Sequence, residues 1–234
     1  MENKVTVFDV KKFLPLILLG FGVLVLVFVI IFVKNSKKEI VTEDETKLAE
    51  IDFKNRPFAF LTPTSDGHYI TLSLTKLTLP KLASVDYELL YALPDGRTQG
   101  VPGTVDLSGQ TSFEKKLLLG SESNGKFRYD EGVVDGSLTV RFRDSKGKLM
   151  AKFATKWHLQ SDVVELTSID QNFKYVLDKK PKGMFFITME TFGLPESSSV
   201  SDVTTGPYGV FASEQLPTGT AEGFQKISTN LFYK

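Results

Sequence analysis

Ser137-Leu-Thr-Val-Arg-Phe-Arg-Asp-Ser-Lys-Gly-Lys-Leu-Met-Ala-Lys-Phe-Ala-Thr-Lys-Trp-His-Leu159 is the stretch that decides the fold class. Apolar and polar residues alternate along both arms, and Asp144-Ser-Lys-Gly147 supplies turn chemistry between them, so the stretch reads as a β-hairpin. Folding it about that turn predicts Phe142 opposite Leu149, Val140 opposite Ala151 and Leu138 opposite Phe153, with the apolar residues of both arms on one face. The longer arm continues on that face with Thr155, Trp157 and Leu159, which makes the single tryptophan a core residue. The other face carries Arg141, Arg143, Lys148, Lys152, Lys156 and His158, and the predicted register sets Arg143 directly across from Lys148. Like charges facing each other need compensation. Acids of a neighbouring strand such as Asp86 and Glu88, or solvent, would supply it; so would an anionic partner held by Arg141, Arg143, Lys152 and Lys156.

The same rhythm extends over residues 53–161. Turn pairs Asp66-Gly67, Asp95-Gly96, Asn124-Gly125, Asp135-Gly136 and Lys146-Gly147 separate β-rich runs. In one of these Val85, Tyr87, Leu89, Tyr91 and Leu93 share a face opposite Asp86 and Glu88. Short antiparallel strands with one buried face each predict a two-sheet sandwich. In strand rhythm and in its late-strand tryptophan the segment resembles the Ig-like modules of membrane-anchored bacterial envelope proteins. That resemblance implies an all-β, Ig-like antiparallel β-sandwich.

Residues 162–234 keep the β composition, with Phe173 to Leu177, Met184 to Phe192, Tyr208 to Phe211 and Phe224 to Tyr233 reading as strands. A shift of 115 residues aligns Phe58–Val85 with Phe173–Val200, matching Leu79-Pro80 to Leu194-Pro195. A degenerate partial repeat is one reading; ordinary similarity between strand-and-turn patterns is the other. Ser/Thr-rich Glu196–Gly206 and the stretch Leu216–Gly223 read as loops.

Upstream lies Phe13–Val33, 21 residues without a charge and, apart from Pro15, Gly20 and Gly22, all Phe, Leu, Ile or Val. As a helix the run is about 31 Å long, close to the hydrocarbon thickness of a bilayer. It is longer than a signal-peptide core, and no alanine precedes Ala49, so residues 13–33 are expected to be an uncleaved signal anchor behind a 12-residue cytoplasmic tail, 1–12. Lysines flank both ends equally; a short tail is easily retained, so the C-terminal domain is expected on the extracytoplasmic side. Residues 34–52, with Lys34, Lys37 and Lys38 followed by Glu39, Glu43, Asp44 and Glu45, form a charged linker.

Function is read from what the residues permit. With 28 basic and 28 acidic residues the chain has no polyanion-binding character, and nucleic acid is not an expected partner. The absence of cysteine removes disulfides and cysteine-ligated zinc. His68 and His158 form no His-x-x-x-His pair, no Gly-x-Gly-x-x-Gly run occurs, and Asp130, Glu131 and Asp135 fit turns rather than an EF-hand loop. No catalytic, cofactor-binding or metal residues are expected. The expectation is a non-enzymatic, single-pass membrane protein of the cell envelope that presents β-sandwich modules to a protein or an anionic polymer. A hydrolase with a dispersed active site and an accessory subunit of a membrane complex are the alternatives.

Overall fold

Alternating burial begins at Phe58 and defines the strands one by one. The computed structural model describes residues 24, 25, 27, 28, 48, 50–200 and 203–234. A 3-10 turn, Phe53–Asn55, precedes β1 (Phe58–Pro63), β2 (Tyr69–Thr75), β3 (Leu82–Ala92), β4 (Thr98–Asp106) and β5 (Phe113–Leu118). There follow β6 (Gly120–Ser123), β7 (Lys126–Tyr129), β8 (Asp135–Asp144), β9 (Leu149–Ser161), β10 (Glu165–Thr167) and β11 (Lys174–Leu177). The chain ends with β12 (Phe185–Glu190), β13 (Tyr208–Ala212), β14 (Gly219–Thr220), β15 (Gln225–Ser228) and β16 (Leu231–Tyr233). The protein is all-β, and its sheets are antiparallel.

One eight-stranded sheet, ordered β15-β16-β13-β12-β9-β8-β3-β4, is the centre of the fold. Two three-stranded sheets, β1-β2-β5 and β10-β11-β14, and the β6-β7 hairpin complete it. The sheet β1-β2-β5 contributes Leu61, Ile70, Leu72, Leu74 and Leu117 to a core shared with Val85, Leu89, Leu138, Val140, Phe142 and Trp157 of the main sheet. A second core joins Leu166, Phe173, Tyr175 and Leu177 to Phe186, Tyr208, Val210 and Phe232.

Sequence pattern decides which strands serve which core. In β3 and β8 buried residues alternate with half-exposed ones, so one face packs and the other meets solvent. In β12 Phe186, Ile187, Thr188 and Met189 are buried in succession, with Ile187 and Met189 in the first core and Phe186 in the second. Likewise β13 sends Phe211 to the first core and Val210 to the second. A continuous apolar run marks a strand covered on both faces.

The hairpin β8–β9 forms as expected, but its register differs from the predicted one by two residues over most of its length. Phe142 pairs with Ala151, Val140 with Phe153, Leu138 with Thr155 and Gly136 with Trp157. The reason lies at the turn. The Asp144 carboxylate accepts the backbone N–H groups of Lys146 and Lys148 at 2.9 and 3.0 Å, the Asp144 N–H donates to the Lys148 carbonyl at 3.1 Å, and Gly147 takes φ +78°. That five-residue turn sets Arg143 opposite Leu149, not Lys148, and a bulge at Met150 adds the second residue of shift. Because side chains alternate with period two, a two-residue shift preserves the faces: Trp157 is fully buried and Lys156 is exposed.

Trp157 needs Gly136 opposite it. A Cβ on Gly136 would stand 2.2 Å from the indole ring and 2.2 Å from the Leu90 carbonyl oxygen, so only glycine admits the ring. Among the described residues the buried indole Nε1 has no hydrogen-bond partner.

Strand β12 pairs with β9 from Phe185–Ser161 to Met189–Trp157, so the main sheet runs through the predicted boundary between 161 and 162. Residues Glu45–Lys234 cluster as one compact unit. The 115-residue shift brings β1 onto β11 and β2 onto β12, yet β1 and β2 pair with each other whereas β11 and β12 lie in different sheets. Of the apolar run, Leu24, Val25, Val27 and Phe28 are helical; the rest of the expected anchor, and the cytoplasmic tail, lie outside the described residues. Among the described residues no helix is long and apolar enough to cross a membrane.

These contacts fix an order of mutational cost. Trp157→Ala is expected to cost about 3 to 5 kcal/mol and Gly136→Ala about 1 to 3, the first by opening a cavity and the second by overpacking. Lys156→Ala is expected to change stability by less than about 0.5 kcal/mol. Urea unfolding of the three variants checks the order, and equal small effects at Trp157 and Lys156 would reverse the assignment of the faces.

Candidate functional site

The uncovered part of the main sheet's outer face is built in cross-strand rows. Asp86, Arg141 and Lys152 form one row across β3, β8 and β9; Glu88, Thr139 and Ala154 form the next. Arg143 Nε donates to Asp86 Oδ2 at 2.5 Å, and its Nη1 donates to the Gly147 carbonyl at 2.9 Å. The Asp86 Oδ1 accepts from Thr104, and Arg141 stands 4.0 Å from Glu88. Acids of β3 therefore interleave with the arginines of β8, and their charge offsets the contact between Arg141 and Lys152. Lys152 borders a shallow groove with Glu50, Ile51 and Arg56, where the chain enters the compact unit. The structure thus brings Arg141, Arg143 and Lys152 into one mixed-charge patch. Lys156 lies further along β9, in a different depression.

That depression is a cleft of about 420 Å³ at the step where the second small sheet ends and the bare face of the main sheet begins. Its floor is Ser137 and Thr139 of β8 with Ala154 and Lys156 of β9. Its wall is the turn Ser168-Ile169-Asp170 between β10 and β11, together with Glu190 at the end of β12 and Tyr208 at the start of β13. The turn is held tightly. Asp170 accepts from Ser168 Oγ at 2.5 Å, from the backbone and side chain of Asn172 at 3.1 and 2.9 Å, and from the Tyr208 hydroxyl at 2.9 Å.

These contacts separate the two carboxyls of the cleft. Burial pushes Asp170 upward, but the hydrogen bonds from Ser168, Asn172 and Tyr208 outweigh it and hold the group below the usual carboxylate value. Glu190 moves the other way: desolvation and then the charge of Asp170 raise it, against a smaller pull from Arg56. The Tyr208 hydroxyl is driven up by burial and by its hydrogen bond to Asp170.

Both histidines sit in local contacts. His158 Nδ1 lies 2.9 Å from the Thr167 carbonyl, which places the proton on that nitrogen, and His68 stacks on Tyr129 with ring centroids 3.9 Å apart. Among the described residues no group of three His, Asp or Glu side chains is placed to hold a metal ion.

Sequence reading singled out Lys156 but not Asp170, Glu190 or Tyr208. A signal existed in Glu190, the one charge between Met184 and Phe192, an otherwise apolar run interrupted only by threonines. A charge in a strand covered on both faces marks the point where cover ends. No family model matches the chain, and neither curated proteins nor solved structures provide a match.

The two carboxyls should leave opposite marks on stability against pH. Glu190, raised in the fold, contributes stability that is present below its unfolded value and lost as pH rises through the folded one. Asp170, lowered, contributes stability that is present above its unfolded value and lost as pH falls through the folded one. Glu190→Gln should therefore be at least as stable as the parent at pH 7, with that gain vanishing toward pH 4. Asp170→Asn should be less stable than the parent at pH 7, by an amount kept small by solvent screening, and progressively less so below about pH 4. Denaturation midpoints between pH 3 and pH 8 test both signs.

Proposed function

We propose that the chain is a non-enzymatic envelope protein, anchored by the single apolar segment 13–33 and presenting residues 53–234 outside the cytoplasmic membrane for contacts with a protein or polymer. The observation that carries this reading is the junction of 21 uncharged residues and a short charged linker with a compact all-β unit beginning at Glu45. The core that β1-β2-β5 shares with the main sheet supports reading the unit as a β-sandwich, while the eight-stranded order of the main sheet carries no Ig-like topology. Such scaffolds hold rigid sheet faces and loops toward partners.

The hydrolase alternative would draw on the cleft, where one carboxyl is raised and the other lowered. Asp170, however, already accepts four hydrogen bonds from its own turn and from Tyr208. A carboxylate so saturated serves the wall of the cleft, which favours binding over hydrolysis.

The full chain is expected to stay in the membrane pellet after alkaline carbonate, and protease added outside spheroplasts should remove the β unit and leave a small anchored fragment. Release by carbonate would overturn the anchor, and full protection of a protease-sensitive unit would place it in the cytoplasm. For the mixed-charge patch, salt-sensitive binding to anionic liposomes or to cell-wall polymer is expected, and it should be lost when Arg141, Arg143 and Lys152 become Gln in a folded protein, whereas Lys156→Gln alone, in the separate cleft, should leave it unchanged. Undiminished binding by the triple variant would remove its three residues from the contact surface.

A further inference from the structure

The register of the main sheet sets Lys156 beside Glu190 without pairing them. Pairing of β12 with β9 runs to Met189–Trp157, so the next position sets Glu190 next to Lys156 on the outer face. Tyr208 across from Glu190 and Ser137 across from Lys156 extend the row to both sides. Opposite charges at neighbouring cross-strand positions ordinarily pair. Here neither the Lys156 ammonium nor the Glu190 carboxylate makes a hydrogen bond or a contact ion pair among the described residues; Glu190, exposed yet partly desolvated by its neighbours, feels only a weak pull from Arg56 and the repulsion of Asp170, and both residues line one cleft. The hydroxyls of Ser137 and Thr139 are equally uncommitted, whereas Asp170 and Tyr208 are bonded to each other.

The cleft therefore offers a cationic pole, an anionic pole and free hydroxyls, with Ala154 in the floor and Ile169 in the wall as its apolar surface. A polyanion would meet Glu190 and Asp170, and a polycation would meet Lys156. The geometry points to a site for a zwitterion, a ligand whose ammonium meets Glu190 and whose carboxylate meets Lys156. Each pole would gain a charge-assisted hydrogen bond, with Ser137 and Thr139 available to the polar atoms between them. A free amino acid and a peptide that presents both charges share this chemistry. The inference deepens the display reading and rests on it only where a peptide is taken as the source.

Titration of the full chain in detergent micelles by calorimetry tests it, with glycine, 4-aminobutanoate, 6-aminohexanoate and triglycine as ligands and hexylamine and hexanoate as single-charge controls. At least one zwitterion should bind about tenfold or more tightly than both controls. Lys156→Gln should reduce it to the level of the amine, and Glu190→Gln to the level of the carboxylate. Both positions are exposed, so neither variant removes core packing, whereas Lys179→Gln, away from the cleft, should leave binding unchanged. Preference for triglycine over the single amino acids identifies a peptide source, and the reverse a free amino acid. The site is overturned if no zwitterion exceeds the controls, or if Lys156→Gln and Glu190→Gln both keep the parent affinity. The titration needs neither insertion nor a given orientation, so its failure leaves the anchor standing, and carbonate release of the chain leaves this site standing.

Discussion

Backbone pairing between β9 and β12 is the constraint on which the rest depends. Five residue pairs, Phe185–Ser161 to Met189–Trp157, join the strands before residue 162 to those after it in one sheet. Strand β12 is then held between β9 and β13, and its continuous apolar run needs cover on both faces: Ile187 and Met189 belong to one core and Phe186 to the other. The flanking sheets are consequences: each covers apolar surface that the central sheet cannot expose. Trp157 sits at the last of these pairs, and the absent side chain of Gly136 makes room for it.

Much of this was legible in the residues. Period-two alternation in β3, β8 and β9 gave the strand type and the buried face, and turn pairs marked the strand ends. The hairpin register was not legible, because turn length depends on how Asp144 bonds the backbone of Lys146 and Lys148, and a bulge changes the count without changing the face pattern. Nor was the union of residues 53–161 with 162–234. Strand pairing across a long sequence separation leaves no local trace, although the unbroken apolar run of β12 signalled a strand with two covered faces.

Surface charge divides the same way. Asp86 and Glu88 were the expected neutralisers of a basic face, and they lie beside Arg143 and Arg141. The cleft was hidden because its members, Lys156, Asp170, Glu190 and Tyr208, come from four separated segments and meet only through sheet register and one tight turn. Their chemistry is set by surroundings rather than by spacing: hydrogen bonds keep one carboxyl charged while desolvation resists charge on the other.

The small sheet β10-β11-β14 is thinly joined, by three residue pairs on one side of β11 and two on the other. Amide exchange in a protein reports a ladder of local openings, and elements with few backbone bonds occupy its lowest rungs. This layer also carries the turn that holds Asp170, so the wall of the cleft and the cover of the second core share one opening equilibrium. A molecule that bridges the turn to the main sheet would slow that opening. Occupancy of the cleft and the lifetime of the layer are then two readings of the same free energy.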